Sequence, residues 1–230
     1  MKKVINLVLG ICAVALLFIC WRSIADDQDF NAEVAAREAV VKARLLEIRD
    51  AEEAFKSQHP DGEYCADWDV LIAFVKSGKL PIVMKQGTLS DEQMDKGLTE
   101  RKAADIVNSG DQAAIIANGL QDFRRDTVWV SLQDSLYKKD GFVADSLRYI
   151  PFSGGDTFEI IACPNTTKSG AIIQVMECNA PYESYLKGMG KRGARLIYNN
   201  IEAAEAKGAY PGLKIGDAGN GWNNNAGNWE

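Results

Sequence analysis

Apolar residues run without a charge from Val4 to Trp21, VINLVLGICAVALLFICW, and from Phe30 onward they recur instead at steps of three, four and seven. The first pattern predicts a helix apolar on every side. At about 1.5 Å of rise per residue the run spans ~27 Å, close to the ~30 Å hydrocarbon core of a bilayer. The second pattern, Phe30, Val34, Val41, Leu45, Ile48 and Phe55 with Glu33, Arg37, Lys42, Arg44, Glu47 and Arg49 on other faces, predicts an amphipathic helix over 30–57. Neither Pro nor Gly occurs between Ile11 and Gln58, so both helices can be one rod. His59-Pro60-Asp61-Gly62 stops it, because the residue before proline is driven out of helical conformation and Asp-Gly is turn chemistry.

Farther along, Asp67 to Lys76 reads as a short helix and Lys79 to Met84 as an extended segment confined by Pro81 to an edge. Ser90-Asp91-Glu92-Gln93 has capping-box spacing and opens a helix ending near Gly97. Thr99 to Asn108 and Asp111 to Phe123 each begin on a capping residue and predict two more helices, the set forming an inserted helical region. Thr127 to Leu132, Leu147 to Phe152, Phe158 to Cys163 and Ala171 to Cys178 are rich in β-branched and aromatic residues and bounded by turn clusters. They predict an antiparallel sheet of about four strands. Pro181 to Lys187 and Ala194 to Lys207 read as helices, and Gly208 as a stop. Residues 216–230, rich in Gly and Asn, hold too few apolar side chains for a core of their own and read as a loose tail. Its indoles, Trp222 and Trp229, are candidates for docking on this domain or on a partner.

An apolar N-terminal helix running into an amphipathic one and ending in AEEAFKSQHPDGEYCADWDVLIAFVKSGKLP resembles the start of a type IV pilin or type II secretion pseudopilin. The corresponding positions are Phe55 at the helix end, Gly62 in the turn, Tyr64, and the short helix from Asp67 to Lys76. The likeness covers about the first 80 residues. It departs from the family at the prepilin-peptidase site, since no Gly followed by Phe or Met, with Glu farther on, occurs near Gly10 or the N-terminus. The resemblance implies a membrane helix, an amphipathic continuation and a globular head that assembles through the long helix.

Charge sets the orientation. Lys2 and Lys3 precede the apolar run and Asp26, Asp27 and Asp29 follow Arg22, which predicts a cytoplasmic N-terminus and a periplasmic C-terminal domain on a single-pass inner-membrane protein. Residues 1–25 form the cytoplasmic stub and transmembrane helix, with 4–21 in lipid, and 26–215 form the periplasmic domain. The alternative is a cleaved secretory signal, because Ser23-Ile24-Ala25 supplies a small-x-small site after which the chain would begin at Asp26. Of 230 residues, 47% are hydrophobic and 25% charged, ordinary values for a folded domain. The net charge of -6 supplies no basic footprint, so nucleic acid is not an expected partner; lipid and envelope proteins, or further copies of the chain, are.

Candidate chemistry is sparse, and neither an enzyme nor a cofactor is expected. His59, the one histidine, sits at a helix end with no triad or ligand set around it. Gly188-Met189-Gly190-Lys191-Arg192-Gly193 matches GxGxxG but follows a helix rather than a strand, so a flexible loop is expected. Glu52 and Glu53, like Asp67 and Asp69, read as solvated pairs. Five cysteines include Cys12 and Cys20 in the apolar run; Cys163 with Cys178 is the simplest disulfide, against the alternative of buried or reduced thiols, and Cys65 with these two lacks zinc spacing. Asp126-Thr127-Val128, Asp134-Ser135-Leu136 and Asp145-Ser146-Leu147 resemble a periplasmic O-glycosylation acceptor, making Thr127, Ser135 and Ser146 candidates, and Asn165-Thr166-Thr167 is a formal sequon. The expected protein is α+β: a long N-terminal membrane-spanning helix packed on a mostly antiparallel sheet, with short helices inserted, serving as a structural or assembly component. The alternative function is a secreted ligand- or carbohydrate-binding module with Trp68, Trp129, Tyr149 and Tyr182 lining a concave site.

Overall fold

The computed structural model describes residues 2–137, 141–220 and 222–230, with no account of the side chains at 2–5, 8, 83 and 222–225. In chain order the elements are α1 (Lys2–Gln58), α2 (Trp68–Ser77), β1 (Lys79–Gln86), α3 (Asp91–Asp95), α4 (Glu100–Ser109), α5 (Gln112–Ala117), β2 (Arg124–Ser131) and α6 (Leu132–Leu136). A 3₁₀ turn (Ala144–Arg148), β3 (Glu159–Thr166), β4 (Ile172–Pro181), α7 (Tyr182–Tyr185), α8 (Gly190–Ala206), β5 (Gly212–Asp217) and β6 (Trp222–Gly227) complete the chain. The chain divides into two compact units, one comprising the residues through Ile72 with Val143–Glu230, the other Ala73–Phe142. It is an α+β protein with antiparallel sheets and one long N-terminal apolar helix.

In the first unit the apolar stripe of α1 lies on a four-stranded antiparallel sheet of order β3-β4-β5-β6. Val41, Leu45, Ile48 and Ala51 are fully buried, as are Met176, Cys178, Ala180 and Ile215 on the sheet. Side chains alternate faces along a strand, so Met176, Cys178 and Ala180 form one row and their antiparallel partners Ile215 and Leu213 extend it. Phe158, Leu147, Ile150, Tyr185 and Leu186 fill out the core.

An irregularity in the β5–β6 ladder is built into the sequence of β5. Gly216 has φ +76, the register shifts between Ile215 and Asp217, and a Cβ at Gly216 would stand 2.0 Å from the carbonyl oxygen of Met176. Only glycine combines that left-handed conformation with so close an approach. Gly216→Ala should therefore cost more than about 2 kcal/mol through strain and clash together. A fall in melting temperature read by tryptophan fluorescence checks it; an unchanged melt would contradict this reading of the bulge.

The second unit holds the inserted helices and an antiparallel β1–β2 ribbon whose register pairs Leu80 with Val130 and Ile82 with Val128. Ala103, Ile115, Leu120 and Phe123 form its core, with Leu89, Leu98, Ile106 and Val107 packed around them. The caps act as their side chains dictate. Ser90 and Gln93 close a capping box, Thr99 accepts from the Lys102 amide, and Asp111 accepts from Ala113 and Ala114. Expected to reach Phe123, α5 ends at Ala117, because Gly119 at φ +63 turns the chain and the Gly119 and Leu120 amides bond back to Ile116 and Ile115.

Two strand expectations change. Leu147 to Phe152 is not a strand: it is the 3₁₀ turn and one bridge between Tyr149 and Thr157. Phe152 adopts φ +66, and Ser153 Oγ accepts from the Gly155 and Asp156 amides, reversing the chain before a ladder can form. Thr127 to Leu132 pairs with β1 in the ribbon. The four-stranded sheet is instead completed by β5, which no strand expectation covered, and by β6, which lies in the stretch 216–230 whose composition reads as a tail.

Candidate membrane anchor and assembly helix

Continuity of α1 over 57 residues, Lys2 to Gln58, follows from the absence of helix breakers after Gly10. The long rod is divided by what covers it. Among the described residues α1 is the one helix long and apolar enough to cross a membrane, and none of its apolar window is buried. Leu9, Ile11, Val14, Leu16, Leu17, Phe18, Ile19 and Trp21 are each more than half exposed. Such a run is far more apolar than a solvated surface, and among the described residues no other element of its own unit shields it.

From Asp26 onward the helix acquires partners. Arg192 of α8 reaches Asp27 Oδ1 at 2.5 Å, and its guanidinium lies 4.6 Å above the Phe30 ring. Arg37 donates to the Tyr185 and Lys187 carbonyls and to Glu33. Arg44 donates to Ser146 Oγ at 2.9 Å and to its carbonyl. Of the residues expected to pack, Val41, Leu45 and Ile48 are buried completely, while Phe30, Val34 and Phe55 are half-buried. His59 stacks on Phe55 at 5.0 Å, a helix-end role.

One residue of this face departs from the sequence expectation. Glu52 is fully buried rather than solvated: Oε2 accepts from the Cys65 amide at 2.8 Å, and Oε1 is buried with no partner among the described residues. Desolvation raises its pKa to about 8, opposed by the Cys65 amide and assisted by Glu53. The signal was present, since Glu52 follows Ile48 by four and Leu45 by seven and so lies on the apolar stripe. Burial raises the thiol of Cys178 in the same core, with Glu52 adding to the effect, and burial also raises that of Cys65. Both are inert thiols in this setting.

The expected Cys163–Cys178 disulfide does not form. Cys163 stands opposite Val175 and Cys178 opposite Ile160, so the two are three residues out of register, about 10 Å along the strands, and point to opposite faces. A disulfide requires Cα atoms within about 7 Å. Trp229 docks on its own unit: its ring covers Gly227, leaving no room there for a Cβ, and lies 5.9 Å from Lys42 Nζ. Asn228 beside it bonds Lys214 and Gly212 through backbone and side chain. The Trp222 side chain lies outside the described residues. Thr127 is exposed on β2, Ser135 is half-buried in α6, and the Ser146 hydroxyl is already engaged with Arg44 and the Val143 carbonyl.

The aromatic residues expected to line a binding site have separate roles. Trp68 donates its indole N–H to the Phe158 carbonyl at 3.0 Å, Tyr182 is half-buried, and Tyr149 is exposed at the isolated bridge. Trp129, 60% exposed, belongs to the other unit. A groove of about 610 Å³ in the first unit is lined by Leu186, Ala194, Ile197, Tyr198 and Ile201 with Asp156 and Glu183, and by none of those four. Of the stretch 188–193, expected to be a loop, only Gly188 and Met189 lie in the α7–α8 connection; Gly190 opens α8 and Lys191, Arg192 and Gly193 are helical. No protein family matches the chain by sequence, and no characterised protein or solved structure shows significant similarity to it.

Proposed function

We propose that the chain is a single-pass inner-membrane protein whose extracytoplasmic α+β portion is a structural or assembly component of the cell envelope, built as pilins and pseudopilins are. The observation that carries this reading is the division of α1: an apolar first half open on all sides, continuous with a second half buried along one stripe. Lipid is the medium that matches an all-round apolar helix of this length. Lys2 and Lys3 before the span, against Asp26, Asp27 and Asp29 after it, support a cytoplasmic N-terminus.

Assembly has a candidate face. Ala32, Ala36, Ala39, Val40 and Ala43 recur along the side of α1 away from the sheet and are exposed. Small residues at helical spacing let another helix approach closely. A photo-reactive amino acid at Val40, introduced in native membranes, should capture a second protein, whereas one at Leu45 should give only intramolecular adducts. Monomer alone from Val40 would contradict assembly through this face while leaving the anchor in place.

A further inference from the structure

Where α1 leaves the apolar run, it meets the start of α8, and that meeting point is rich in cations. From Lys187 to Ile201 the chain carries Lys187, Lys191, Arg192 and Arg195 and no acidic residue, in a protein of net charge -6. All four are exposed. Arg192 fixes the patch in place through Asp27 Oδ1 at 2.5 Å, the Asp26 carbonyl at 3.4 Å and the Phe30 ring. From the opposite side Arg37 holds the Lys187 carbonyl at 3.0 Å.

Distance along the helix then decides what the patch faces. Asp27 lies six residues beyond Trp21, about 9 Å of axial rise. Headgroup layers add roughly 5–7 Å to each side of the hydrocarbon core, so the Arg192–Asp27 pair sits just beyond their outer margin. The flexible side chains of Lys191 and Arg195 are long enough to reach the phosphates. Asp26, Asp27 and Asp29 lie at the same level; Asp27 is paired with Arg192 and Asp26 faces Arg22, which leaves Lys187, Lys191 and Arg195 against Asp29 there, while Asp156 and Glu183 line the groove that Lys187 also borders. An acidic domain tethered to an anionic bilayer is otherwise repelled from it, and each nearby Lys or Arg reverses part of that repulsion.

We infer that the loop and first turns of α8, through Lys187, Lys191 and Arg195, form a docking surface for anionic phospholipid headgroups beside the membrane exit of α1. This rests on the reading of α1 as a membrane anchor. Bound lipid would hold the domain at a fixed height and tilt on the bilayer, a device for presenting the outer face of α1 in one orientation.

The test is hydrogen exchange of the full chain reconstituted in nanodiscs of phosphatidylcholine alone or of phosphatidylcholine and phosphatidylglycerol in equal parts. The expected result is exchange in residues 190–197 about tenfold slower with phosphatidylglycerol, lost in high salt and lost in the K187Q/K191Q/R195Q variant. Unchanged exchange in residues 41–54 shows that the variant is folded. Equal exchange in both lipids, with the chain embedded, overturns the headgroup site and leaves the anchor standing. Protection reproduced by inorganic phosphate in phosphatidylcholine discs also overturns it, in favour of a soluble anion site. A chain that remains outside the discs overturns both readings together.

Discussion

Replacing Glu52 by Gln is expected to stabilise the protein at pH 8 and to remove most of the dependence of its stability on pH between about 5 and 8. The carboxyl ionises at 4.5 in the unfolded chain and at about 8 in the fold, where desolvation by burial favours the neutral form. Its contribution is fully present below pH 4.5 and is lost as pH rises through about 8, because the unfolded state releases the proton first. At about 1.4 kcal/mol per pH unit over that interval, up to about 5 kcal/mol is at stake. Gln keeps the shape and the acceptor for the Cys65 amide without a charge to bury. Melting temperatures of both proteins in mild detergent across this pH range check it. Parallel pH profiles for wild type and variant would show that Glu52 is not buried as described.

Truncation of Leu45 to Ala should be the most damaging single change on α1, costing about 2–5 kcal/mol by removing a fully buried side chain from the helix–sheet interface. Val40→Ala, five residues away on a face where Val40 is 45% exposed, should leave stability unchanged or slightly higher, since alanine is the better helix former. The pair separates packing from helix propensity in one experiment. Equal losses from both substitutions, followed by thermal unfolding, would mean that the sheet does not select one stripe of the helix.

What the sequence disclosed followed from how local each signal is. Caps at Ser90, Thr99 and Asp111 were readable because a side-chain oxygen two or three residues from an amide suffices to define them. Val41, Leu45 and Ile48 were readable because helical periodicity is independent of the partner. β6 was not: WNNNAG has the composition of a loop, and its pairing with β5 rests on the Asp217 turn, the Asn228 bonds to Lys214 and Gly212, and the Trp229 ring over Gly227, all tertiary. Leu147 to Phe152 failed oppositely, since its β-prone residues are overruled by the Ser153 turn. For the functional face, the apolar run and its flanking charges were legible, but the basic patch was not, because Arg192 and Asp27 meet across 165 residues of chain.

The account stands on α1 as a retained membrane helix rather than a cleaved leader. Alkaline carbonate extraction of native membranes, followed by N-terminal sequencing and intact mass of the protein recovered, tests that most directly. The chain should remain in the membrane pellet and begin at or beside Met1. A chain that washes into the supernatant and begins at Asp26 would contradict it, and with it the pilin-like reading and the headgroup surface.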